Sequence, residues 1–346
     1  FTWQDEWFKR VWNTMHFDLP GQRPFWSNPQ ANEQQFGLLA FDPGLDKTVC
    51  EVDGDIAEWQ DASPVHIGEN VTLYTKSDEK YLYLMAKTRD FDFENDSLYI
   101  AIDSLPGQGN SQDISRRLQF SRPAEFLLQI HGEKDSRILV DAYYDAFYYL
   151  YGVKAKVVDK KSSNHKKDQG RFNPMNLCVA MEIFLPQDKK YVPFHSYETG
   201  LLQYGDSNPA HPEFSSLADF SYKQGNLEIR IPWQLLNIMD PSTKTAMADL
   251  YGNKGRKVES NFLKEEMFMN FDRGNVIKAQ AIDGLYIGAT VVKQGKNADS
   301  AIGMGYYTWK NWTLPTYHER LKKSYPLVQK AFQELDVKET GKEKAR

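Results

Sequence analysis

The chain has 346 residues, with 42 Lys and Arg against 47 Asp and Glu and a formal net charge of -5. That length buries a substantial core and holds either two domains or one large decorated β domain. The mild acidity removes nucleic acid and an anionic membrane as default partners, and no apolar run is long enough for membrane insertion. Two cysteines, Cys50 and Cys178, form no metal-type cluster and leave the redox compartment and their pairing open. The first residue is Phe1 and no signal peptide is recognisable, which predicts a soluble piece of a longer or processed protein. Aromatic residues make up 14% of the chain, a load that suits both a sandwich core and surfaces that stack on sugar rings.

In chain order, residues 1–44 read as a Trp-rich extension. Trp7, Phe8, Val11, Trp12 and Met15 share one apolar helical face, and Pro20, Gly21 and Pro24 end the helix. Residues 45–313 read as the main domain, organised around the stretch from Val52 to Asp103. An acidic turn at Asp53-Gly54-Asp55 leads to Trp59. Val71, Leu73, Tyr81, Tyr83 and Met85 then alternate with polar residues around a hairpin turn at Asp78-Glu79-Lys80. Pro106 to Asn110 is a glycine-rich turn without the spacing of a phosphate loop. Phe126 to His131 and Ile138 to Tyr144 predict a second hairpin about Gly132 to Asp135, with an extended continuation from Tyr143 to Tyr151 covered on both sides.

The lysine-rich run from Lys154 to Arg171 has no interleaved aromatic residues and reads as a solvated hairpin tip. Asn176 to Leu185 predicts one strand. The stretch from Tyr191 to Asp219, which contains Tyr204, is too turn-rich for a regular element and is the kind of long loop that holds binding groups. Leu227 to Ile231 alternates strictly and runs into a short helical turn at Trp233, and Ile282 to Val292 supplies the last long strand. Residues 314–346 read as a helix from about Tyr317 to Leu335 and a charged tail.

Four features line up: Val52-Asp53-Gly54 with Trp59, the paired strands ending in Lys80 to Asp90, the Asp-rich corner before the strand closed at Asp103, and Glu228 to Trp233. Together they resemble the family 9 carbohydrate-binding modules and the wider DOMON-like sandwich group, over most of residues 50–295. The resemblance implies an all-β antiparallel sandwich, jelly-roll-like, here with flanking N- and C-terminal helices. It also implies non-catalytic binding of carbohydrate, a polysaccharide end held between two aromatic rings, and structural calcium. Such a module serves a larger extracellular or cell-surface bacterial protein and has an upstream domain of the same chain as partner. Carried onto this chain, one clamp ring falls at Phe93, where the family has Trp, and the other falls among Tyr307, Trp309 and Trp312, with Tyr204 as a further ligand-binding candidate. Trp309 and Trp312 can equally pack the C-terminal helix onto the sandwich, whereas Trp59 and Trp233 sit in core pattern.

Asp90, Asp92 and Asp96 offer oxygen ligands to a hard cation such as calcium, or else form a turn that satisfies its own backbone. Haem binding, known among DOMON-like relatives, would draw on Met85 and His131, but their spacing does not favour it over core packing. The first dozen residues weakly resemble the last strand-to-helix turn of a (β/α)8 glycosidase barrel, which makes Asp5 and Glu6 the alternative catalytic residues of a glycoside hydrolase fragment. Adjacent carboxylates in sequence do not by themselves give the separation that glycoside hydrolysis requires. HExxH and GxSxG are both absent from the chain.

Overall fold

The computed structural model describes residues 39–41, 49–159, 165–252, 256–257, 277–298, 300–311, 319–321, 327, 329 and 330. Eleven strands build its two principal sheets. They are β1 (Pro64–Ile67), β2 (Val71–Ser77), β3 (Tyr81–Thr88), β4 (Ser97–Asp103), β5 (Phe126–Ile130), β6 (Arg137–Asp141), β7 (Phe172–Pro174), β8 (Phe220–Lys223), β9 (Asn226–Pro232), β10 (Leu285–Val292) and β11 (Gly305–Tyr307). One sheet has the order β8-β9-β3-β2-β1 and the other β7-β6-β5-β4-β10-β11. Every pairing within them is antiparallel. The molecule is therefore an all-β sandwich.

Local chemistry explains the strand order. Asp78 turns β2 into β3 by accepting hydrogen bonds from the backbone N–H groups of Lys80 and Tyr81, both at 2.8 Å. Between the sheets, Leu73, Leu82, Leu84 and Ile229 join Leu98, Ile100, Phe126 and Leu128 in one buried cluster. Each such side chain contributes about 1.5–3 kcal/mol by leaving water. The alternate residues of β3, Tyr83 and Met85, are buried as well, in a separate cluster with Cys50 and Trp59. Tyr99, Ala101, Leu127 and Leu139 are likewise covered by Leu118, Phe120 and Ala124 of the hairpin Asn110–Asp113 and Leu118–Ala124. Both sheets are thus buried on both faces near their middle, which is why the alternation in sequence does not separate a core side from a solvent side.

Glu228 fastens the first of these covers. From mid-β9 its carboxylate accepts from the N–H of Gly54 at 2.7 Å, the N–H of Asp53 at 3.3 Å and the indole N–H of Trp59 at 2.8 Å. Two of the sequence motifs, 174 residues apart, are therefore halves of one contact.

Several elements differ from the sequence reading. Tyr143 to Tyr151 is not extended: Ala142–Tyr144 is a 3-10 turn and Tyr148–Gly152 a single π turn. The side chains of Asp141 and Asp145 accept the backbone N–H groups of Tyr143, Phe147 and Tyr148 and stabilise those turns. Asn176 to Leu185 is two short strands rather than one, Asn176–Ala180 paired with His195–Glu198 and Ile183–Leu185 paired with Lys190–Val192. Within the expected C-terminal helix, Glu319–Leu321 is a strand paired with Leu39–Phe41, and Leu327, Gln329 and Lys330 are helical. A four-stranded sheet, Ile238–Asp240, Thr245–Met247, Lys278–Ala281 and Arg256–Lys257, has no counterpart in the sequence reading. Cys50 and Cys178 are both buried and unbridged. The expected N-terminal helix with Asp5 and Glu6, Trp312 and the charged tail lie outside the described residues. Among the described residues no helix is long and apolar enough to cross a membrane.

Candidate functional site

The acidic corner enters β4. Asp90 adopts a left-handed φ of 49°, and Asp92 accepts the N–H groups of Glu94 and Asn95 and the amide of Asn95. Asp96, 4% exposed, accepts the N–H of Asp92 at 2.8 Å and that of Gln294 at 3.0 Å. The Lys293 ammonium lies 3.0 Å from Asp96 and 3.1 Å from the Asp90 carboxylate. Burial pushes the Asp96 carboxyl up, but the two N–H groups and Lys293 outweigh it and hold it below the ordinary range. The corner thus has an ammonium where a hard cation would sit, and its turn is closed by its own side chains. Among the described residues no group of three or more His, Cys, Asp and Glu is disposed to hold a metal ion.

Beside this corner the structure assembles aromatic rings. Phe93 stacks on Tyr222 of the edge strand β8, with centroids 4.6 Å apart and planes 15° apart. The Phe93 ring is also 6.0 Å from that of Tyr204, and Phe91 meets Tyr222 edge-on at 5.7 Å. Tyr204, 38% exposed, is fixed by a bridge to Phe220 and by its hydroxyl, which donates to the Tyr222 carbonyl at 3.4 Å. The result is a half-buried platform at one end of the sandwich. Two exposed carboxylates border it. Glu94 follows Phe93, and Glu133 follows Gly132, whose N–H donates to the Phe93 carbonyl at 2.7 Å. Gly132 has a φ of 61°, and a Cβ there would come within 2.9 Å of the Glu94 carboxylate. Burial raises the Tyr204 phenol above its ordinary value, and Glu133 and Glu94 add to the rise.

The late aromatic residues belong elsewhere. Trp309 is 9% exposed, packs against Trp233 with ring centroids 4.6 Å apart and planes tilted by 38°, and donates its indole N–H to the Pro241 carbonyl at 2.7 Å. Tyr307 packs against Trp309, its ring centroid 6.2 Å away, and donates its hydroxyl to Ser77 at 2.8 Å. Ser97 pairs with Val292 and Leu285 with Tyr307, so Phe93 precedes one end of β4 while Trp309 lies beyond the other. At about 3.3 Å per residue the strand separates them by roughly 20 Å. The expected clamp between Phe93 and Trp309 is therefore not assembled. Of the ligand-binding candidates, Phe93 and Tyr204 meet, Tyr307 and Trp309 pack together at the opposite end, and Trp312 is outside the described residues.

Sequence reasoning missed Phe91 and Tyr222, although the aromatic spacing of Phe220 and Tyr222 before a Gly225 turn was a usable edge-strand signal. It also missed a buried acidic group at the far end. Asp103, Glu125 and Asp141 are all fully buried, and each has one carboxylate oxygen with no hydrogen-bond donor. Glu125 accepts the N–H groups of Ser104 and Leu105, Asp103 the Arg122 guanidinium, and Asp141 the Asn110 amide. Burial pushes the Glu125 carboxyl well up and the Asp103 charge adds to it, while burial raises Asp141 to about 7. Each acid ends or opens an apolar run, so the pattern was visible in sequence. Being closed to solvent, these groups are not an open ligand site. No protein-family model, curated protein or solved structure matches the chain.

Proposed function

We propose that this chain is a non-catalytic carbohydrate-binding domain of a larger secreted or cell-surface protein, and that it holds sugar on the platform of Phe93, Tyr204 and Tyr222. The observation that carries this reading is the pairing of half-exposed rings with bordering carboxylates. Sugars present apolar C–H faces that stack on aromatic rings and hydroxyl groups that donate to carboxylates, and both partners occur within one surface here. No observation on the described residues favours the alternative of a glycoside hydrolase fragment.

Affinity electrophoresis against a panel of polysaccharides tests the proposal. Tyr204→Ala and Phe93→Ala should each weaken retardation on the bound polymer at least tenfold, with far-UV circular dichroism unchanged. Undiminished binding by both variants would sink the platform as the site. The same assay with calcium and with a chelator tests the expected structural calcium at Asp90, Asp92 and Asp96, which would have to displace Lys293. A chelator-dependent loss of binding supports a metal there.

A further inference from the structure

We infer that Asp103, Glu125 and Asp141 form a buried row that holds protons, and that losing them above neutral pH opens the adjoining end of the hairpin that covers the row. One residue beyond the pairs Ile102–Phe126 and Phe126–Val140, the three acids occupy neighbouring positions on β4, the entry to β5 and the end of β6. The ladder continues through them: the N–H of Glu125 donates to the Ile102 carbonyl at 3.1 Å and that of Asp141 to the Glu125 carbonyl at 2.7 Å. Cross-strand neighbours stand about 5 Å apart at Cβ. Three carboxylates so close together and out of water cannot all be ionised. Each also keeps one oxygen that no donor reaches. A protonated carboxyl has an O–H to give to such an oxygen, whereas a carboxylate only accepts.

The surrounding groups supply one compensating charge. Arg122 of the hairpin pairs with Asp103 at 3.2 Å, its guanidinium 3.8 Å from the Tyr286 ring centroid on β10. Asp145, in the turns after β6, and Asp168, ahead of β7, add negative charge at Asp141. The phenols of those turns are engaged elsewhere, Tyr143 with Asp249 and Tyr144 with the Met247 carbonyl. With Asp103 ionised against Arg122, protons on Glu125 and Asp141 make the row neutral. Burial is the first cause of a rise in all three carboxyls and brings Asp141 to about 7. The contribution of the Asp141 proton to the closed cover is complete below 3.8 and is lost as pH rises through about 7. Ionised carboxylates demand water, and the hairpin is what excludes it. It meets the acids at one end, where the Asn110 amide donates to Asp141 at 2.9 Å and Arg122 to Asp103. Farther along it is anchored separately, by the Ser121 N–H to the Ile302 carbonyl at 2.9 Å and by Arg116 to Gln129 at 2.9 Å. The opening is therefore local.

Amide hydrogen exchange of the full chain at pH 6 and pH 8.5, corrected for the intrinsic pH dependence of exchange, tests this. Protection at residues 110–112, Glu125 and Asp141 should fall about tenfold more than in β2 and β3, whereas Ser121 should follow β2 and β3. Asp141→Asn and Glu125→Gln carry a fixed amide donor in place of the proton, and each should flatten the fall. Infrared spectroscopy reads the protons directly: the wild-type chain should show a protonated-carboxyl band at pH 6 that weakens by pH 8.5 and is diminished in either variant. No such band in the wild-type chain, or a band that both variants retain in full, overturns the protonated row. Equal loss of protection in the hairpin and in β2 and β3 overturns the local opening. Both wild-type measurements decide the matter even where a variant fails to fold.

Discussion

Glu228 sits in mid-β9 between Leu227 and Ile229, where an apolar residue would be the ordinary choice. It is 1% exposed, and its three donors come from a segment that has no strand partner of its own to satisfy those N–H groups. Burial nevertheless raises its carboxyl from 4.5 to about 7, against the pull of Trp59 and the backbone N–H groups. A carboxyl raised in the folded state keeps a proton that the unfolded chain releases, so its stabilising contribution is complete below 4.5 and is lost as pH rises towards about 7. Asp141 and Asp145, raised by burial from 3.8 to about 7, act with the same sign. The melting temperature should therefore fall between pH 5 and pH 8, and the fall should be shallower in Glu228→Gln. Calorimetry across that interval checks it; an unchanged slope in the variant would remove Glu228 from the account. The sequence displayed both halves of this contact but not their pairing, because a Glu in an alternating strand looks solvent-facing when only one chain segment is considered.

Among the elements, the hairpin of β2 and β3 was legible because one residue, Asp78, encodes the turn locally. The segment from Tyr143 to Tyr151 was not, since its dense aromatic run suits a strand while two aspartate side chains impose tight turns on the backbone. The ribbon of Ile183–Leu185 and Lys190–Val192 shows the opposite imbalance. Its residues Ile183, Phe184 and Tyr191 are 51%, 52% and 58% exposed, so their apolar content contributes little to the fold. The double change Phe184→Ser with Tyr191→Ser should alter stability by no more than about 0.5 kcal/mol. It should also reduce self-association at high concentration. Denaturant unfolding and light scattering read the two effects, and a large loss of stability would show that the ribbon is packed in solution.

At the scale of the whole molecule, antiparallel pairing of β4 with β10 carries the two predicted aromatic groups to opposite ends of the sandwich. One end has the half-buried platform; the other has Trp309 packed on Trp233 and the buried acids Asp103, Glu125 and Asp141. Trp309→Ala should accordingly destabilise the fold by about 3 kcal/mol while leaving sugar affinity unchanged. Thermal unfolding and titration of the same preparation separate the two; a variant that folds normally but loses affinity would return Trp309 to the binding site. The sequence by itself determined the long strands of the two principal sheets, the hairpin turn at Asp78 and the all-β class, because period-two alternation and turn residues act over a few neighbouring positions. Tertiary structure alone decided that Glu228 meets Trp59, that Lys293 enters the acidic corner and that Phe93 joins Tyr204 rather than Trp309. Those choices depend on strand order and register, which bring together residues more than a hundred positions apart.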